Sequence, residues 1–141
     1  MTASAISTED FFRLLREGLP TGASMNVEVV RLERGRAVMR MTTNASHLRP
    51  GGTVAGPVLF GLADVVLYAA VMSIIGPVPL AVTTDATMHF LRRPRAGVLV
   101  ASGTILKEGK RLIVGEATIA HDGEEDAPVA HAVMTYSVPP R

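Results

Sequence analysis

Residues 54–75 read VAGPVLFGLADVVLYAAVMSII, an almost wholly apolar run in which Asp64 is the only charged residue. Gly76 and Pro77 follow directly and favour a helix end at this point. About 20 apolar residues suffice to cross a bilayer, but Lys or Arg anchors do not flank the run and amphipathic segments adjoin it. We therefore predict the buried central helix of a folded domain, with no membrane span.

Segments with strand character lie on both sides of this helix. Before it, Met25, Val27 and Val29 alternate with other residues, and Arg34-Gly35 predicts a hairpin turn into a strand that carries Ala37, Met39 and Met41 on one face. After it come four segments rich in Val, Ile, Thr or Ala, separated by turn residues: 80–91, 97–106, 111–120 and 128–138. Their short connections favour antiparallel neighbours.

A short helix is predicted near the amino terminus. Ser7 with Asp10 three residues later predicts a capped start before Phe11, and Gly18 and Pro20 predict its end. The prediction is one α+β domain over 1–141, in which a curved antiparallel sheet wraps around one long helix. We expect 1–7 to be a flexible lead, 8–18 the short helix and 25–138 the core.

Composition excludes several classes of function. The chain has 141 residues, 48% of them hydrophobic, and a formal charge of +1 with both signs interspersed, so no basic surface for nucleic acid is expected. It has no cysteine, which removes disulfides, thiolate metal sites and a cysteine nucleophile. We expect no signal peptide and a cytoplasmic location.

The long helix also predicts self-association. A single sheet covers one side of a helix that is apolar all round, so the other side must meet a partner. We expect a homodimer or a dimer of dimers.

Asp64 is the residue of this helix that needs an explanation. A lone buried carboxylate costs several kcal/mol unless it is hydrogen-bonded or paired. It is either a structural aspartate satisfied by neighbouring groups or a nucleophile or general base held in a dry cavity. The spacing of residues alone does not separate these two interpretations.

The start of the helix is rich in glycine. Gly51, Gly52, Gly56 and Pro57 allow a ligand to approach the backbone closely, and the first N–H groups of a helix are free to meet an oxygen. Gly56 N–H is therefore a candidate donor to a carbonyl, although an ordinary glycine-rich helix entry gives the same pattern.

Three stretches together resemble the PaaI-like hotdog thioesterases of the 4-hydroxybenzoyl-CoA thioesterase superfamily. They are 52–64 with its Leu-Ala-Asp, 82–85 with Thr-Thr-Asp, and 90–97 with Phe-Leu-Arg-Arg-Pro and a closing Gly. The resemblance spans most of residues 25–138. It implies a hotdog fold, a homodimer, and hydrolysis of acyl-CoA thioesters at a site shared by two subunits, without a cofactor.

The resemblance also implies roles for individual residues. Asp64 matches the catalytic carboxylate, which acts as general base or nucleophile. Gly56 matches the glycine whose N–H holds the thioester carbonyl, and Thr83 matches a hydroxyl that positions the attacking water.

The chain departs from the family pattern at the helix entry. Ala55 stands at the family's motif histidine, Pro57 at its second glycine and Arg49 at an asparagine that often precedes them. We expect these three positions to contact substrate. His47 and Arg49 are candidates to replace the lost polar groups, although a loop histidine is more often a solvated surface residue.

Other polar residues fall into two groups. On the strand after the helix, alternation places Thr83, Asp85, Thr87 and His89 on one face. Cationic side chains on turns are candidates to bind the CoA phosphates, and we choose Arg93, Lys110 and Arg111 among them. Otherwise an exposed basic turn is simply solvated. His89, His121 and His131 have no metal-ligand spacing, so no metal is expected.

Two functions remain open at this point. The first is an acyl-CoA thioesterase. The second is a catalytically weak acyl-CoA or fatty-acyl binding protein, which Ala55 favours. A hotdog dehydratase would place a histidine near its acid, and this helix has none. Candidates to line an acyl pocket are Met25, Met39, Phe60, Tyr68 and Met72, although such residues are more often plain core.

Overall fold

A computed structural model of the chain describes residues 3–18 and 25–140. Within these ranges, two α-helices and six strands follow one another, with a 3-10 turn at Ala45–His47 before the second of these helices. The elements are α1 (Thr8–Gly18), β1 (Val27–Glu33), β2 (Arg36–Thr42), α2 (Gly56–Ile75), β3 (Val82–Phe90), β4 (Val98–Glu108), β5 (Leu112–His121) and β6 (Ala130–Ser137). The predicted order of elements is confirmed, and the predicted helix end at Pro20 lies outside the described residues.

The six strands form one antiparallel sheet in the order β1-β2-β4-β5-β6-β3. The hairpin predicted at Arg34-Gly35 is present, and the connections between β4 and β5 and between β5 and β6 also join neighbouring antiparallel strands. The prediction that all four last strands are sequential neighbours is wrong for β3, which pairs with β6. The chain crosses over after β3 instead, and Pro94 in the crossover accepts a hydrogen bond from Val54 N at 3.0 Å.

The long helix α2 lies across the concave face of the sheet. Inward residues of β2 (Ala37, Met39 and Met41) are fully buried beneath it, as the alternation predicted. Glycines let the helix approach closely: a Cβ added at Gly115 would lie 2.8 Å from Cδ2 of Leu67. The apolar run is thus the buried core helix, which accounts for its membrane-like hydropathy.

The amino-terminal helix α1 covers part of the side of α2 that was predicted to meet a partner subunit. Phe11 is fully buried, and its ring centroid lies 5.9 Å from that of Tyr68. Ser7 caps α1, because its hydroxyl oxygen accepts a hydrogen bond from Asp10 N at 3.1 Å, as predicted.

The described part of the predicted flexible lead is tied down. Ile6 is only 4% exposed. Ala5 N donates to the carbonyl of Ser73 over 2.7 Å, near the end of α2. Residues 5 and 6 therefore belong to the packed domain, because an apolar side chain and an otherwise orphaned helix-end carbonyl hold them there.

Candidate active site

Asp64 lies on α2, eight residues after the helix begins, and is partly buried. One of its carboxylate oxygens, Oδ1, accepts two hydrogen bonds. The Thr83 hydroxyl donates one over 2.7 Å, and the Tyr136 phenol donates the other over 2.7 Å. The phenol oxygen also lies 3.0 Å from the main-chain carbonyl oxygen of Asp64. The helix, the edge strand β3 and its neighbour β6 therefore meet at one carboxylate.

A break in strand register brings Thr83 to the helix side. Thr83 pairs with the inward-facing Tyr136, whereas Asp85 pairs with Thr135 on the opposite face, with an irregularity between them. The prediction that Thr83 shares a face with Asp85, Thr87 and His89 is therefore wrong. An extra residue in a strand reverses which face the following side chains take.

Tyr136 was not predicted as a site residue. It is 1% exposed and ends the inward series Ala130, Ala132 and Met134 of β6. A buried phenol nearly always finds a hydrogen-bond partner, and this alternation was the available signal. The sequence held no information on which helix atom would accept the bond.

Burial and the nearby negative charge act together on the tyrosines. Loss of hydration raises the pKa of Tyr136 far above its ordinary value, and the Asp64 charge and hydrogen bond raise it further. Burial, and then the Asp64 charge, also raise the pKa of Tyr68. Both phenols therefore stay protonated at neutral pH.

Asp64 opens into a cavity of about 410 Å³ with mainly apolar walls. Of the five predicted pocket residues only Tyr68 lines it; Met39 and Met72 are fully buried in the core, and Phe60 is exposed elsewhere on α2. The amino-terminal helix contributes walls that the sequence did not suggest. The lining residues are Leu14, Glu17, Asp64, Val65, Tyr68, Pro79, Ala81, Val82, Thr83 and Tyr136.

The other end of α2 presents its first backbone N–H. Ala55 precedes the helix without a side-chain cap, and its own N–H donates to the His47 carbonyl over 2.9 Å. Pro57 has no N–H and is exposed. The first N–H groups of a helix have no carbonyl acceptor within the helix. Gly56 N–H is such a group, and it has no acceptor elsewhere in the described residues.

Gly56 opens into a second cavity, of about 290 Å³. The predicted substrate residues Arg49 and Arg93 line it together with Arg92, so three guanidinium-bearing residues surround this space. The ring of Phe90 lies against Gly56, 3.6 Å from where a Cβ would stand. Lys110 and Arg111 are exposed on the β4–β5 turn and line neither cavity.

The buried histidines have structural partners. His47 Nδ1 accepts a hydrogen bond from Asn44 N at 3.0 Å and closes a capping box. His121 Nε2 accepts one from Arg95 N at 2.9 Å. His47 was a candidate to replace the motif histidine. Its ring instead stabilises the local turn. In the described ranges, no three His, Asp or Glu side chains are grouped to hold a metal ion.

Within one protomer, Gly56 and Asp64 cannot act on the same atom. They are eight residues apart on one helix, which corresponds to about 12 Å along its axis. They also open into different cavities. One chain therefore carries two separate candidate half-sites, one with the carboxylate and one with the backbone donor.

The chain is similar to known proteins in both sequence and fold. Residues 51–127 match the family model of the thioesterase superfamily, so the chain belongs to that family. Its six-stranded sheet around one helix is the hotdog fold of PaaI-like members. Thioester hydrolysis is the class of activity that these relatives support.

Three solved structures illustrate the likeness. A "putative thioesterase" of Silicibacter sp. TM1040 is 38% identical, with a TM-score of 0.86 over 99% of this chain and 96% of that one. The Escherichia coli PaaI protein from the phenylacetic acid degradation operon is 25% identical, with a TM-score of 0.75 over 90% and 94%. A hypothetical thioesterase from Streptococcus pneumoniae TIGR4, solved with coenzyme A, is 22% identical, with a TM-score of 0.78 over 96% and 98%.

Proposed function

We propose that this protein hydrolyses acyl-CoA thioesters, with Asp64 as the group that drives water or itself onto the thioester carbon. The observation that carries the proposal is a carboxylate held by two hydroxyl donors at the wall of a largely apolar cavity. A purely structural aspartate would be expected to have its polar groups enclosed. Asp64 is instead only partly buried and borders open space.

Hydrolysis of the thioester can follow either of two routes. In the general-base route, Asp64 takes a proton from water as the water oxygen bonds to the carbonyl carbon. The C–S bond then breaks, and the proton passes to the departing sulfur. In the nucleophilic route, the carboxylate bonds to the carbon, the thiolate leaves, and water cleaves the resulting anhydride. Thr83 orients the carboxylate or the water in both.

Gly56 N–H polarises the thioester carbonyl in this proposal. Its unpaired donor at a helix amino terminus suits an oxygen that gains negative charge. Because Gly56 and Asp64 of one chain are about 12 Å apart along the helix, the donor must come from a second subunit. A twofold axis that passes midway between Gly56 and Asp64 along α2 would place each Gly56 beside the Asp64 of the other copy.

Exposed apolar surface supports such a homodimer. The edge strand β3 pairs on one side only, and its end residues Val82 and Phe90 are 54% and 58% exposed. Phe60, on the exposed face of α2 between Gly56 and Asp64, is 40% exposed. Apolar residues on an unpaired edge next to both half-sites favour burial against a second copy. A dimer of dimers is compatible with the same contact.

The second cavity suits the nucleotide end of CoA. Arg49, Arg92 and Arg93 supply guanidinium groups, which bind phosphate oxygens well. The hypothetical thioesterase from Streptococcus pneumoniae TIGR4, which was solved with coenzyme A, supports a CoA-type substrate in general. The apolar cavity beside Asp64 would then take the acyl group. Lys110 and Arg111 can take part only if a partner subunit brings them to the site.

The absence of cysteine makes the test direct. Thiol release from a panel of acyl-CoAs can be followed with Ellman's reagent, because the protein itself contributes no thiol. We expect turnover of at least one acyl-CoA. The lack of cysteine also fits the proposed cytoplasmic location, where thiols stay reduced. Saturable binding without turnover across the panel would instead favour the acyl-CoA binding protein, which the loss of the motif histidine at Ala55 suggests.

A further inference from the structure

The hydroxyl donors around Asp64 are unevenly shared between its two oxygens. Thr83 and Tyr136 both donate to Oδ1, each over 2.7 Å. Oδ2 has no hydrogen bond to any residue in 3–18 or 25–140. Oδ1 is therefore occupied, whereas Oδ2 is left for water or substrate.

Tyr136 is held firmly enough to impose this difference. Its ring is 1% exposed, and its oxygen contacts Met134 Sδ at 3.7 Å as well as the main-chain carbonyl of Asp64 at 3.0 Å. The phenol oxygen thus lies within hydrogen-bond distance of both the backbone and the side chain of Asp64. Rotation of the carboxylate about its last torsion would break the contacts to both hydroxyls.

We propose that Tyr136 is a positioning residue that fixes the rotation of the Asp64 carboxylate and so makes Oδ2 the reacting oxygen. This proposal rests on the proposed thioesterase function. In the general-base route, Oδ2 takes the proton from water and later gives it to the departing sulfur. In the nucleophilic route, Oδ2 forms the bond to the carbonyl carbon and is released when water cleaves the anhydride.

A phenol suits this task because it remains a donor. Burial raises the pKa of Tyr136, so its proton is kept throughout the physiological range. A hydroxyl has a single hydrogen to give, and the charged, closer oxygen Oδ1 is the better acceptor.

The test is a comparison of Tyr136→Phe with the wild-type protein on the best acyl-CoA. Loss of a hydrogen bond to a charged group predicts a kcat lowered roughly 10- to 100-fold, with KM within about twofold because no substrate contact is removed. The Kd of acyl-CoA for an Asp64→Asn protein should be the same with and without Tyr136→Phe. An unchanged kcat, or a kcat loss matched by lost affinity, would overturn the proposal.

Tyr68→Phe is the matched control. Tyr68 lines the same cavity one helical turn after Asp64, and its hydroxyl makes no hydrogen bond to that carboxylate. It should act on KM rather than on kcat. If Tyr68→Phe lowers kcat as Tyr136→Phe does, the effect is general to the cavity and the proposal is wrong.

Further measurements separate a failure of the role of Tyr136 from misfolding of the variant and from a failure of the thioesterase mechanism. Thermal unfolding must show that Tyr136→Phe is folded. A crystal structure of the wild-type protein in which the two hydroxyls bond to different carboxylate oxygens, so that neither oxygen is left free, would overturn the proposal without any variant. Full activity in Asp64→Asn would instead refute the thioesterase mechanism itself, whereas an inactive Asp64→Asn beside an unaffected Tyr136→Phe refutes only the role of Tyr136.

Discussion

The hydroxyl of Thr83 donates to Oδ1 of Asp64 over 2.7 Å, which links the edge strand of the sheet to its central helix. Thr83 reaches this position only because the strand register shifts between Thr83 and Asp85. A local irregularity in β3 thus places a hydroxyl at the candidate active carboxylate. Bulges next to active sites commonly re-aim a side chain in this way.

Thr83→Val should lower kcat about 10- to 100-fold, because it removes a hydrogen bond to a charged group worth about 1.5–3 kcal/mol. Thr83→Ser keeps the hydroxyl and should retain most activity. Steady-state kinetics on one acyl-CoA would compare the two variants. Activity kept in Thr83→Val but lost in Thr83→Ser would mean that the methyl group, and hence packing, is what matters at this position.

Gly56→Pro should lower kcat about 100-fold or more, because it deletes the backbone donor proposed for the carbonyl. Proline is tolerated in the first turn of a helix. Gly56→Ala is the control: its Cβ would lie 3.6 Å from the Phe90 ring, an ordinary contact, and the N–H remains. Circular dichroism would check folding, and a Gly56→Pro protein that is folded and fully active would exclude Gly56 as the donor.

The described surface predicts that Phe60→Glu disrupts a dimer. The charge would lie on the exposed apolar face between the two half-sites, where burying it costs several kcal/mol. Sedimentation should show a shift toward monomer, together with lost activity. Val30→Glu, at a 51% exposed residue on the opposite edge strand β1, is the matched control and should leave the oligomer intact. A Phe60→Glu dimer with normal activity would contradict the shared site.

Both tyrosines should resist ionisation in the folded protein. Burial raises the pKa of Tyr136 and of Tyr68, so the native state holds these protons more tightly than the unfolded chain, where tyrosine titrates near 10. This stabilisation is fully present below about pH 10 and is lost as pH rises through the folded pKa values.

Absorbance at 295 nm would measure that titration. We expect Tyr136 to ionise only together with alkaline unfolding followed by circular dichroism, and Tyr68 to titrate above its ordinary value. The Tyr68→Phe and Tyr136→Phe proteins assign each step. Tyrosinate forming with a midpoint near 10 for Tyr136 in a protein that stays folded would contradict the buried, carboxylate-bonded phenol.

Local pattern predicted much of the fold. The apolar run with Gly76-Pro77 located α2 to within two residues of its bounds, and alternation identified the buried face of β2. Hairpins were predictable because short turns pair neighbouring strands. The β3–β6 pairing was not, since it joins residues that are at least 40 positions apart and depends on where the crossover packs.

The candidate site was predicted only in part. Asp64 was evident as a lone charge in an apolar helix, and Gly56 as a glycine at a helix entry. The register shift that turns Thr83 inward and the hydrogen bond from Tyr136 to Asp64 depend on how strands and helix pack together. Alternation along a single strand does not predict them. The cover of Tyr68 by Phe11 similarly required the position of α1 relative to α2.

The most direct test of the central claim is the rate of thiol release by Asp64→Asn beside that of the wild-type protein, on an acyl-CoA that the wild type turns over. Asparagine keeps the size of the side chain but can neither accept the proton nor form the anhydride. We predict a kcat reduced at least 100-fold with acyl-CoA binding retained. An Asp64→Asn protein that hydrolyses the thioester at the wild-type rate would contradict the account.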